Sequence, residues 1–401
     1  MGPPRRTRML ILPLIVAPVA VASAAMLAIA QMSDSIIDAN QYWHQPLAAQ
    51  GEPPKNWTEI EQSLSPADCG QCHTEQFAQW QTSRHAHSFS PGLLGQIITY
   101  DAPETAECLE CHAPLAEQRL AFEAARGLGV AAVAEKDGLA TAGNSCGGCH
   151  LRLYRHFGPP ERGDGATGPS ALPAPHDGAR RTAYFERAEF CSVCHQFPAS
   201  QKVNGKPIEN TYVEWQTSPQ AAQGTTCQTC HMPNRRHLWR GIHDPAMVAS
   251  GLTARMTADA KGVRFEVTNT GVGHAFPTYV TPKVVLHAVA LDATAGTPRP
   301  ETLRSYEIAR KVRYEDGHWI ELSDTRLLPG QSAAIELGWD QSEYIRTWLD
   351  VIPDDFYERE IFPGLAASLP PNSDARRLIL DASTNAAASH FRLYETELRR
   401  P

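Results

Sequence analysis

The sequence predicts a multidomain chain. A mainly helical and irregular, cysteine-rich region is followed by an antiparallel β-sandwich of Ig-like type, with a transmembrane helix at the N-terminus. Three observations predict this. An uncharged apolar run follows three arginines at the start. Ten cysteines fall into five C-x-x-C pairs, each followed at once by histidine. After about residue 250 cysteine disappears, and apolar residues begin to alternate with polar ones. The length of 401 residues allows two domains of ordinary size. The net charge of −8 excludes a basic nucleic-acid surface as the organising feature.

The first element is residues 1–30. Arg5, Arg6 and Arg8 precede a stretch from Met9 to Ala30 that carries no charge. About twenty apolar residues span a bilayer as a helix. Basic residues before such a run keep the N-terminus cytoplasmic and send the rest across. Ala28-Ile29-Ala30 also has the small-x-small form of a cleavage site. The segment therefore reads as a signal anchor, with a cleaved signal peptide as the alternative. Either way the body is exported: at the bacterial inner membrane facing the periplasm, or free in the periplasm after cleavage. Residues 31–68 are polar, contain Gly51, Pro53 and Pro54, and read as a linker.

The second element, residues 69–250, carries the chemistry. C-x-x-C-H is the attachment signal for c-type haem. Two thiols must reach two vinyl groups on one porphyrin edge, and the next histidine then lies beneath the ring to ligate the iron. The five units are Cys69, Cys72 and His73; Cys108, Cys111 and His112; Cys146, Cys149 and His150; Cys191, Cys194 and His195; and Cys227, Cys230 and His231. Zinc ribbons and disulfides use paired cysteines too. Five pairs do not divide evenly into Cys₄ sites, and neither alternative explains the adjacent histidine. Five covalently bound haem c groups are expected, and they would supply much of the apolar core of this region.

Little strand pattern appears here. Residues 113–126 read as a helix with Pro114 in the first turn. Residues 158–180 are rich in Gly and Pro and read as loop. One echo is visible: Trp-Gln-Thr-Ser occurs at Trp80–Ser83 and again at Trp215–Ser218. Gln220 in the second copy stands where the first has His85, which suggests an internal duplication with one imidazole lost.

The third element is residues 251–401. Val263, Phe265 and Val267 alternate with Arg264, Glu266 and Thr268, as a half-buried strand requires. Val284–Leu291 is nearly all apolar. Asp316-Gly317 is a hairpin turn signal between Tyr314 and Trp319. Ala334–Trp339 reads as a further strand, and residues 340–401 mix strand with helix. Short strands separated by turns suggest the sandwich.

The segments CGQCHTEQFAQWQTSRHA, FCSVCHQF, TYVEWQTSPQAAQGTTCQTCHMP, RRHLWRGIHD and NTGVGHAFPT resemble multihaem c-type cytochromes of the cytochrome c-554-like family over roughly residues 65–280. The resemblance implies electron transfer through a compact haem array outside the cytoplasm, with the later sandwich as an accompanying domain. It also implies candidates for the second axial ligand of each iron. A second histidine closes the site, whereas an open position admits a substrate. The candidates are His85, with His87 two residues on as its alternative, and His176, His237, His243 and His274. His156 is held in reserve, since a loop histidine beside Arg155 and Phe157 has a plainer reading.

The chain is thus expected to carry electrons from a quinol-oxidising membrane donor to a soluble or terminal periplasmic acceptor rather than to act as an enzyme. The alternative is an oxidoreductase that reduces or oxidises a small nitrogen or sulfur compound at one five-coordinate haem. No nucleophile elbow, paired carboxylates or phosphate loop is present as a separate catalytic signature.

Overall fold

The computed structural model describes residues 43–129, 133, 138–162, 175–292 and 296–401. The expected membrane segment, residues 1–30, lies outside them. Among the described residues no helix is long and apolar enough to cross a membrane. Gln45–Pro401 forms one compact unit, and the account below concerns that unit.

Its first half consists of short helices separated by turns. Pro66–Cys72, Ala102–His112, Cys146–His150, Glu189–His195 and Cys227–His231 each contain a C-x-x-C pair. A spacing of three in a helix puts both sulfurs on one face. Local signals start these helices. Ser90 and Asp101 accept hydrogen bonds from the Leu93 and Glu104 amides, and a proline follows each cap in the first turn. The helix expected over 113–126 runs from Ala116 to Arg126. Ala113, just before the proline, has non-helical backbone angles (φ −151°, ψ 73°), so Pro114 precedes the helix instead of sitting in its first turn. Within the expected loop 158–180, Pro175–Asp177 forms one 3₁₀ turn, and Arg180–Arg181 pairs in parallel with Phe157–Gly158.

The second half contains two antiparallel sheets. One has the order Ser332–Gly338, Gly262–Asn269, Leu252–Ala258; the other Phe391–Arg399, Tyr344–Ile352, Lys283–Ala290, Arg304–Ile308. Alternation decides which residues go inward: Val263, Phe265 and Val267 are buried, as are Ile345, Leu349 and Val351. Residues from both sheets share one apolar core, in which Phe265, Leu286, Ile335 and Ile345 meet. Asp316 and Gly317 both have positive φ, 50° and 81°, and close the hairpin of Arg310–Glu315 with His318–Asp324.

Two regions differ from expectation. Residues 45–68 are built into the body rather than strung out as a linker. Leu47 and Trp57 are buried, and Glu59–Gln62 is helical behind a Thr58 capping box. Large apolar side chains in a polar stretch are what pin it. The cysteine-rich half and the strand-rich half are also interlocked. Ile379, on the helix Asp374–Ala388, packs so closely on Pro91–Ile97 that a Cβ at Gly95 would lie 2.8 Å from its side chain.

Arg310 is the polar counterpart of that contact. It is fully buried, and it donates to the carbonyls of Val203, Lys206, Pro207 and Ile208 and to Glu321 at 2.8 Å. Arg310→Ala would strand those carbonyls. We expect a loss of about 3 kcal/mol, read by denaturant unfolding.

Candidate haem-ligand sites

No disulfide joins the ten cysteines, and among the described residues no group of three or more Cys, His, Asp or Glu gathers to hold a metal ion. Neither feature favours a disulfide framework or zinc ribbons. Thiol contacts instead join one motif to another: Cys69 to Cys146, Cys111 to Cys194, and Cys191 to Cys227. The five motifs are therefore packed together rather than spread along the molecule.

Four of the five motif histidines face a second imidazole from a remote part of the chain. His73 faces His176 with ring centroids 6.4 Å apart. His195 faces His85 at 6.3 Å, His150 faces His237 at 6.1 Å, and His231 faces His274 at 6.4 Å. Two imidazoles that share one metal at bonds of about 2 Å have centroids roughly 6 Å apart. The four pairs fit an iron between each.

Second hydrogen bonds aim the rings. Nδ1 of His150 meets the Phe157 carbonyl at 2.8 Å, that of His231 the Arg240 carbonyl at 2.6 Å, and that of His274 the Ala275 carbonyl at 2.9 Å. Nδ1 of His176 meets the Gly178 carbonyl at 3.1 Å, and that of His112 the Ser88 carbonyl at 2.7 Å. Fixing Nδ1 leaves Nε2 free to ligate a metal. Burial pushes His85 down to about 3, and His237 and His274 down to about 4, so all three are neutral imidazoles with a lone pair to offer.

Ion pairs hold the elements that carry these rings. Glu214 accepts the Ala275 amide beside His274 and pairs with buried Arg326 at 3.1 Å. Arg240 donates to the Thr82 carbonyl and hydroxyl, which docks the His237 segment on the helix Thr74–Gln81.

His243 is placed elsewhere. Its Nε2 lies 2.9 Å from Asp354, and it faces no motif histidine. His87 is exposed, whereas His85 stands opposite His195. Across from His112 there is no histidine ring among the described residues. Elsewhere a cavity of about 400 Å³ is lined by Tyr100, Tyr279, Tyr357, Phe356 and Trp319, and Tyr100 packs in one cluster with Cys108 of the second motif. Burial raises Tyr279 and pushes Tyr357 up to about 12, with Cys108 within electrostatic reach of both. These tyrosines carry no sequence signal, because the cavity joins segments far apart in the chain.

The fold is that of a penta-haem cytochrome c. A crystal structure of a penta-heme cytochrome c552 from Thermochromatium tepidum matches 85% of this chain and 99% of its own, with a TM-score of 0.57 at 19% identity. No protein-family model matches the sequence, and no curated protein does.

Within this penta-haem fold the Trp-Gln-Thr-Ser echo has a structural counterpart. Trp80 donates its indole N–H to the Asn144 carbonyl at 2.9 Å, and the Asn144 amide donates to the His85 carbonyl. Trp215 donates in the same way to the Thr225 carbonyl at 2.9 Å, and the Thr225 amide donates to the Gln220 carbonyl. Asn144 and Thr225 each stand two residues before a motif. The thiol contacts repeat as well, first with third motif and fourth with fifth. The second motif has no counterpart in the repeat. Trp80→Phe and Trp215→Phe each remove one equivalent hydrogen bond. Each is expected to cost about 1 kcal/mol in thermal unfolding, with the two losses alike in size.

Proposed function

We propose that the chain is an exported pentahaem c-type cytochrome that carries electrons between a membrane donor and a periplasmic acceptor. The observation that carries this reading is the set of four cross-chain histidine pairs. Cys69 and Cys72, Cys108 and Cys111, Cys146 and Cys149, Cys191 and Cys194, and Cys227 and Cys230 hold five haems covalently. His73, His112, His150, His195 and His231 are the proximal ligands. His176, His237, His85 and His274 close the first, third, fourth and fifth sites. The haem, when bound, supplies the iron that takes up and releases the electron. The residues around it set axial geometry, exclude water and hold the imidazoles neutral.

Closed bis-histidine sites suit electron transfer, because no ligand has to enter or leave. The basic start and apolar run of residues 1–30 support export and anchoring. A quinol-oxidising membrane complex would be the donor, and a soluble cytochrome or terminal reductase the acceptor. Replacing residues 1–30 with a cleavable signal should then release the protein from membrane fractions.

A second reading concerns the second motif alone. His112 faces no histidine, and a tyrosine-lined cavity lies near its cysteines. An iron held there would be open to a small nitrogen or sulfur compound.

The test is a pyridine haemochrome count with low-temperature EPR and magnetic circular dichroism on the oxidised holoprotein. We expect five haems, four low-spin and one high-spin. Alanine at His85, His176, His237 or His274 should convert one more haem to high spin, while His243→Ala should not. A count of five low-spin haems, with no binding of cyanide or nitrite, would remove the second reading and leave a pure carrier. Retained low spin in all four alanine variants would remove the ligand assignment.

A further inference from the structure

His156 lies outside the four pairs, yet its ring is stacked on one of their members. Its centroid is 3.9 Å from that of His176, with the planes 29° apart. Trp57 touches both rings, at 5.5 Å from His156 and 6.4 Å from His176, and its indole N–H donates to Asp177 at 2.9 Å. Imidazole and indole faces so arranged hold one another by offset and edge contacts.

His176 needs such support. It sits in a single 3₁₀ turn, and both it and Asp177 have left-handed φ, 46° and 58°. That conformation is costly for residues other than glycine and persists only when the surroundings impose it. The backbone contributes two anchors, the His176 amide to Glu61 at 2.8 Å and its Nδ1 to Gly178. Beside these hydrogen bonds, the faces of His156 and Trp57 bound the ring.

His156 lies on the strand Arg155–Gly158, and the next residue supplies the Phe157 carbonyl that receives Nδ1 of His150. One strand therefore touches the distal candidate of the first site and the proximal histidine of the third. The motifs of these two sites are the ones joined by the Cys69–Cys146 contact. The Nδ1 of His156 is itself buried without a hydrogen-bond partner among the described residues, so no polar anchor accounts for where the ring lies. The repeat sharpens the contrast. His156 follows His150 by six residues, and His237 follows His231 by six. The second copy uses that position as a ring facing a motif histidine; the first uses it as a platform.

We propose that His156 is a positioning residue. It stacks on His176 to fix the orientation of that ligand, and its strand locks this orientation to the axial histidine of the neighbouring site. The proposal rests on the reading of His73 and His176 as one ligand pair.

The experiment compares His156→Phe, His156→Ala and His176→Ala in the holoprotein by haem count, EPR and potentiometric titration. His156→Phe, which keeps the stacked face, should leave the low-spin g values in place. His156→Ala should keep five haems but shift the g values and midpoint potential of one low-spin haem. If the alanine variant does not fold, His156→Leu, which keeps bulk without an aromatic face, is read in the same way. Unchanged signals and potentials in the Ala or Leu variant would overturn the proposal. So would full conversion of one haem to high spin by His156→Ala when His176→Ala leaves it low-spin, since His156 would then be the ligand. Low spin retained at all sites in both His176→Ala and His156→Ala would overturn the underlying ligand pair itself.

Discussion

Everything in this fold answers to one constraint. In the proposed reading, two imidazoles from distant parts of the chain meet across the thickness of one metal, and a C-x-x-C helix on one side holds the porphyrin edge. The near-equal spacing of the four pairs, 6.1 to 6.4 Å, reflects that requirement. A spacing error of a bond length would leave an iron five-coordinate. Such tolerance is hard to reach with short helices and turns alone. The strand-rich half supplies rigidity: His274 leaves the sheet strand Gly262–Asn269 within a few residues, and the Asn269 side chain donates to its carbonyl at 3.0 Å.

The interlock of the two halves follows from the same demand. A freely hinged sheet domain could not hold His274 against His231. Arg310, Arg326 and the Ile379–Gly95 contact each cross from the strand-rich half to the cysteine-rich half. Buried arginines suit this task because one planar guanidinium can satisfy several carbonyls at once, and a chain of irregular turns exposes many carbonyls.

The proximal half of each site was legible in the sequence because covalent attachment forces a local spacing. Cys, Cys and His within five residues need no tertiary information. The facing imidazoles were legible only in part, because each pairing is non-local. The resemblance marked His85, His176, His237 and His274 as candidates, but only packing sets each opposite a motif histidine. His243 shows the limit. It lies in the same short segment as His237, yet Asp354 claims it, and an acidic residue over a hundred positions away leaves no local trace. Residues 45–68 misled for a different reason. Their average is polar, but Leu47 and Trp57 are buried and pin the segment, and Trp57 lands beside His176.

The repeat gives the second motif its meaning. Trp80 and Trp215 organise two equivalent units, each with two motifs whose thiols touch, and in these units all four motif histidines face a second ring. The motif at Cys108–His112 falls inside the first unit between Ser83 and Asn144, where the second unit has only the four-residue helix Pro219–Ala222 between Ser218 and Thr225. Its histidine faces no second ring among the described residues. The motif is held by His112 Nδ1 on the Ser88 carbonyl and by the Cys111–Cys194 contact to the fourth motif. The cavity lined by Tyr100, Tyr279 and Tyr357 draws the last two from the strand-rich half, while Tyr100 packs in one cluster with Cys108. Four motif histidines that face a second ring, and one that faces none among the described residues, is the division of labour that the proposed conduit with a single reactive end would need.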